Sequence, residues 1–193
     1  MAFFERIKSK LKWKNLMYFL LFLLPGFLMI LFAFQTGFSW ETNFRFRIGL
    51  PVPNWLLSGL LILFSLGFFY KSVVHLISFL CDAKYRALLQ SIERIGDVAT
   101  CGAILEAMEE NPYANRGDLR FNEYIVFYME GTDVTAFSPQ SITAIRGEIE
   151  RVKNVENTYV CIYYENKVLK ISASDENAVE LLKQLRNQYG VPV

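Results

Sequence analysis

The sequence predicts a membrane α-helical hairpin of two spans, followed by a cytosolic α+β domain built as an antiparallel β-meander with a closing C-terminal helix. Three observations carry this reading. First, Leu16–Phe34 and Trp55–Tyr70 contain no charged side chain. A hydrocarbon core about 30 Å thick needs roughly 20 apolar residues in a helix. The first stretch meets that length alone, and the second, which falls short at Tyr70, is continued by Ser72–Leu80 past Lys71. Second, charge is divided along the chain. Residues 1–15 carry five basic side chains against Glu5, a net +4, whereas residues 82–193 carry 12 basic and 17 acidic side chains, a net −5. Third, residues 82–193 have the mixed helical and alternating patterns of a soluble domain, with enough chain for one modest core.

These patterns divide the chain into three parts. Residues 1–81 form a basic flank and two spans at about 16–36 and 54–81. Residues 82–112 form a helical connector, and residues 113–193 form the β-rich domain. Pro25-Gly26 falls inside the first span, where proline removes a helix hydrogen bond and favours a kink. Phe44–Ile48 alternates apolar and basic, as a short strand or an interfacial segment does. Pro51-Val52-Pro53 precedes Asn54, which is suited to cap the second span. Ser58, Gly59, Ser65 and Gly67 are small enough to permit close helix packing.

Positive side chains set the expected orientation. Five precede the first span, Arg45 and Arg47 lie between the spans, and Lys71, Lys84 and Arg86 follow. Both termini are therefore expected in the cytoplasm and the Gln35–Asn54 loop outside, in a multi-pass protein of the cell membrane. Trp40 and Trp55 fall near the outer interface and Trp13 near the inner one. A cleaved signal peptide is the competing reading of residues 1–34. The apolar run is longer than a signal core, and no small-x-small site follows it.

In the connector, Tyr85, Leu88, Leu89, Ile92 and Ile95 form one helical stripe. Gly96 ends that helix and Asp97 caps the next. The second helix is expected to reach Glu110, with Cys101, Ile104, Leu105 and Met108 on one face, before Asn111-Pro112. Strands are expected at Asp118–Asn122, Glu123–Met129, Val134–Phe137, Ser141–Glu148, Thr158–Tyr164 and Lys167–Ser172. Turns fall at Glu130–Asp133 and Glu165-Asn166. Ser174 caps a final helix whose apolar face is Val179, Leu182 and Leu185, joined by Ala178 and Leu181, and Gly190 ends it.

Candidate chemistry is sparse. Lys71 and His75, at i and i+4, share a helix face inside the second span. An ionisable group in a membrane is a functional candidate by default, although Lys71 can also snorkel to the headgroups. Neither span offers a carboxylate for a proton relay. His75 is the only histidine in the chain, so the β-rich domain has no Ser/His/Asp set, and no glycine-rich phosphate loop occurs. Glu106, Glu109 and Glu110, with Asp97 upstream, read as a solvated acidic face. Cys81, Cys101 and Cys161 show no disulfide or metal spacing. Gly131, Gly147 and Gly190 read as turn or cap residues. No catalytic, cofactor-binding or metal-binding residue is assigned. The net negative domain argues against a nucleic-acid partner, and no small-molecule substrate is evident.

The order of strands and closing helix resembles a pleckstrin-homology-like domain. Leu119–Tyr128 is similar to its opening hairpin, and Val134–Ile142 to the strand, polar step and strand of bacterial versions. The whole layout resembles an uncharacterised bacterial two-span membrane family, in which a segment like Leu89–Asp97 precedes the β-domain. That resemblance implies no known chemistry. It departs from phosphoinositide-binding domains because the turn Glu130-Gly131-Thr132-Asp133 is acidic. The expected function is a non-catalytic membrane-anchored interaction or scaffold module. It would contact the bilayer through two spans and bind a protein partner or itself. The alternative is a subunit of a membrane transport or envelope-stress system. Residues 82–193 are expected to fold without the spans.

Overall fold

The computed structural model describes residues 2–37, 44–45, 51–52, 54–152 and 155–190. Trp40, Arg47, Pro53 and the side chain of Asn54 lie outside the described residues. The elements, in order, are α1 (Ala2–Gly37), β1 (Phe44–Arg45), β2 (Pro51–Val52), α2 (Asn54–Cys81), α3 (Ala83–Ile95), α4 (Val98–Ala107), β3 (Asp118–Phe121), β4 (Val126–Glu130), β5 (Asp133–Phe137), β6 (Ile142–Val152), β7 (Val155–Tyr164), β8 (Lys167–Ala173) and α5 (Asp175–Tyr189). The chain divides into two compact units, Lys10–Asp82 and a second unit formed by Met1–Ser9 together with Ala83–Val193.

The Lys10–Asp82 unit is an antiparallel helix hairpin. Both helices are long and apolar enough to cross a membrane, and their most apolar windows are only 11% buried. That exposure separates them from core helices of a soluble fold. α1 runs through Pro25, and Gly26 lets α2 come close, since a Cβ there would lie 3.3 Å from Phe68 Cβ. Ser58 Oγ donates to Ala33 O at 3.2 Å, and Ser72 Oγ donates to Phe19 O at 3.1 Å. Ser58 and Ser65 are buried, as small packing residues should be. Gly59 and Gly67 instead face open space and contribute no close approach. β1 and β2 form a two-residue antiparallel ladder between the helices. At the other end Lys12 pairs with Asp82 at 3.3 Å. Asp82 takes a left-handed conformation, φ 49°, so α3 does not simply continue α2.

The second unit is α+β. Its strands form two three-stranded antiparallel sheets, β3-β4-β5 and β6-β7-β8. Val126, Phe137, Ile145, Val160, Ile162, Ile171, Leu181 and Leu185 form the core between the sheets and α5. β7 alternates Val160, Ile162 and Tyr164 inward, which fixes its register against β6 and β8. The β7–β8 turn is Glu165-Asn166, both at positive φ as a tight hairpin requires.

Three sequence expectations shift. α5 buries Ala178, Leu181 and Leu185, with Leu182 partly covered, whereas Val179 is 54% exposed. Of the five apolar positions expected on this face, Val179 alone falls outside it. Gly147 lies within β6 rather than in a turn, and a Cβ there would sit 3.1 Å from Leu182 Cδ1. α4 stops at Ala107 rather than Glu110, because Arg120 takes its terminal carbonyls. Gly117 has the strictest backbone need in the unit: φ is +92°, and a Cβ would lie 2.6 Å from Met129 O.

Candidate functional site

The structure brings the two sequence candidates, Lys71 and His75, onto one aromatic side chain. The Lys71 ammonium lies 5.5 Å from the Phe22 ring centre. The His75 imidazole stacks on Phe22 at 5.7 Å and 8°, and on Tyr18 at 5.2 Å. Asn15 completes the cluster. Its amide nitrogen donates to Leu11 O at 3.0 Å, so its Oδ1 faces His75 Nδ1, 3.1 Å away. That arrangement puts the proton on Nδ1. Asn15 is itself buried. The cluster contains a cation, an imidazole and an amide. It ties α1 to α2 by stacking, cation–π attraction and one polar bond. Sequence reading missed Asn15 because only the hairpin register places position 15 beside position 75.

In the second unit the first two turns of α1 form a docked arm. Phe3, Phe4 and Ile7 are each 2–3% exposed. Phe3 packs edge-on against Phe127 at 5.3 Å, and the Arg120 guanidinium lies 5.2 Å from the Phe3 ring. Arg6 pairs with Glu106 at 2.5 Å, and Lys8 sits 5.4 Å over the Tyr85 ring. Arg120 is central to this region. Its Nε donates to Asp118 Oδ1 at 2.8 Å, and Nη1 donates to Leu105 O at 2.6 Å and Met108 O at 2.7 Å. One side chain thereby caps α4, neutralises a buried carboxylate and floors the arm site.

The acidic turn expected to exclude phosphate is held by its own neighbours. Lys84 Nζ donates to Asp133 Oδ1 at 2.6 Å and to Thr132 Oγ1 at 3.0 Å. The Tyr128 hydroxyl donates to Glu130 Oε2 at 2.8 Å, and burial pushes that phenol's pKa well up.

The outward face of β6-β7-β8 carries a charged lattice. Tyr163 OH donates to Glu148, which lowers the carboxyl pKa and raises the phenol's. Lys170 lies 3.6 Å from Glu150 and 3.9 Å from Glu148. Cys161 is buried beneath them, and burial, with Glu148 beside it, pushes its thiol up to about 12. Burial likewise raises Cys101. Both buried thiols are therefore protonated at neutral pH and poor nucleophiles. The Asp97 carboxyl is lowered by the Thr100 backbone N–H that it caps. Among the described residues, no three His, Cys, Asp or Glu side chains converge as metal ligands. Comparison with known proteins returns no matching family model, no matching curated protein and no matching solved structure.

Proposed function

We propose that this chain is a membrane-anchored interaction module. Two spans hold a small pleckstrin-homology-like domain at the cytoplasmic face of the cell membrane, where it binds a protein partner or a second copy without catalysing a reaction. The observation that carries this reading is that residues 2–9 and 83–193 belong to one folded unit. Those segments flank the helix hairpin on either side, so an inserted hairpin leaves both flanks on one side of the bilayer. The positive-charge distribution independently favours the cytoplasmic side. At about 1.5 Å per residue, the 28 residues of α2 reach about 42 Å, ample for a hydrocarbon core of about 30 Å. Exposed Leu20, Leu24, Phe27, Leu31, Leu63 and Leu66 would be costly in water and are at home in lipid. The pleckstrin-homology-like assignment rests on the meander, the paired sheets and the closing helix, with an acidic β4–β5 turn unsuited to phosphoinositides.

Photo-cross-linkers placed at the exposed Tyr124, Ile149 and Val168 of the full chain, in intact membranes, test the interaction reading. The expected result is a discrete protein product from some positions and none from others. Uniformly absent products, together with a large detergent-stable ring of subunits, would favour the transport alternative. Two helices enclose no polar path by themselves, so transport requires such a ring.

A further inference from the structure

We infer, on the two-span membrane reading, that the cytoplasmic end of α1 holds an anionic phospholipid of the inner leaflet, its headgroup on Lys10 and Lys14 and its acyl chains along the apolar row that ends there. Trp13, Met17, Leu21 and Leu24 recur at steps of three or four residues and so form one row along α1. Lys10 and Lys14 belong to the same face, three residues before Trp13 and Met17 respectively. The four row residues are 60–66% exposed, whereas Leu11 and Asn15, on another face of the helix, are 3% exposed. The row is thus a surface that the protein leaves to lipid, and it ends at its N-terminal side in an aromatic ring between two cations.

Neighbouring cations are already matched: Arg6 by Glu106, Lys12 by Asp82 and Lys84 by Asp133. Lys10 and Lys14 form no ion pair among the described residues. Two cations one turn apart without a protein partner favour an external anion, and the row beside them decides its kind. A free anion would meet only the lysines, whereas a phospholipid also covers Met17, Leu21 and Leu24. Long side chains on a helix lean toward its N-terminus, which here is the cytoplasmic end, so both ammonium groups reach toward the headgroups and away from the hydrocarbon. The Trp13 ring then sits at the boundary, where amphipathic rings are favoured. From Lys14 to Leu24 the helix rises about 15 Å, half of a hydrocarbon core of about 30 Å, so the acyl chains of one leaflet match the row in length.

The test uses the full chain carrying W40F and W55F, which leaves Trp13 as its one tryptophan. It is reconstituted in bilayers of phosphatidylcholine and phosphatidylglycerol in equal proportion, with bromine on the acyl chains of one lipid or the other. Quenching of Trp13 fluorescence reports which lipid lies against it. Phosphatidylglycerol is expected to associate with Trp13 about threefold or more in preference to phosphatidylcholine. The preference should disappear in the double variant K10Q and K14Q, and in 1 M salt, where the screening length is about 3 Å. It should survive K12Q, because Lys12 serves Asp82. Equal quenching by the two lipids overturns the inference, as does a preference that persists in K10Q and K14Q, is lost to the same degree in K12Q, or ignores salt. Unselective quenching would remove the lipid site and leave the membrane reading standing. Quenching by neither lipid would remove both.

Discussion

Replacing Arg120 with alanine is expected to cost the α+β unit about 3–5 kcal/mol, the range for breaking a buried charge pair by removing one partner. The Arg120 and Asp118 side chains are only 14% and 10% exposed, so solvent screens little of their interaction. Alanine would leave the Asp118 carboxylate without its guanidinium and would free the carbonyls of Leu105 and Met108 at the end of α4. It would also remove the cation beneath Phe3. Against a typical domain stability of about 5–15 kcal/mol, this is a large fraction. The melting temperature of the full chain in detergent, followed by a signal from the β-sheets, should fall by more than about 10 °C. Arg120→Lys should recover only part of the loss, because an ammonium has no planar fork to serve a carboxylate and two carbonyls together. Wild-type melting of the alanine variant would show that these bonds contribute no net stability.

The double substitution F3A and I7A is expected to release the N-terminal arm. Truncating a buried Phe costs about 3–5 kcal/mol and a buried Ile about 2–5 kcal/mol. Phe4 is then the one buried apolar side chain left in the eight-residue arm, and the edge contact it makes with the Phe3 ring is gone. Alanine is the informative replacement, since an aspartate at position 3 would lie beside Arg120 and gain a new partner. Limited trypsin digestion in detergent reads the outcome at Arg6, Lys8 and Lys10. The account expects these sites to be slow in the wild type and fast in the variant, while β7 and β8 stay protected. Equal cleavage rates would mean that the arm is not held by its apolar face.

The arm also changes what a fragment should do. The sequence alone suggests that residues 82–193 fold by themselves. The structure makes Phe3, Phe4 and Ile7 part of that core, so a fragment starting at residue 82 would expose Phe127 and neighbouring apolar surface.

Helical and strand periodicity made the element order legible. The stripe Leu88 and Ile92, the cap at Asp97, the hairpin turn at Glu165-Asn166 and the stop at Gly190 all depend on neighbours within a few residues. What escaped depends on partners far along the chain. Phe3, Phe4, Ile7 and Leu11 recur at helical spacing, but the five cations of residues 1–15, Arg6, Lys8 and Lys10 among these positions, make the segment read as a membrane flank. The end of α4 is set by Arg120, a strand residue, and nothing local to Ala107 announces it. In α5, both Ala178-Leu181-Leu185 and Val179-Leu182 satisfy the apolar pattern, and only the position of the sheet selects the first. Of the membrane pair, Lys71 and His75 were legible as polar residues in an apolar run. Their shared ring, Phe22, and the amide of Asn15 required the pairing of α1 with α2.

The central claim is that the arm and the α+β domain lie together on the cytoplasmic side of a two-span hairpin. Reporter fusions made at residue 193, before residue 2 and within residues 38–43 of the full chain, and assayed in intact cells, test it most directly. The account predicts cytoplasmic signals from both ends and an external signal from the loop. An external C-terminus, or a chain released from membranes by alkaline carbonate, would contradict it.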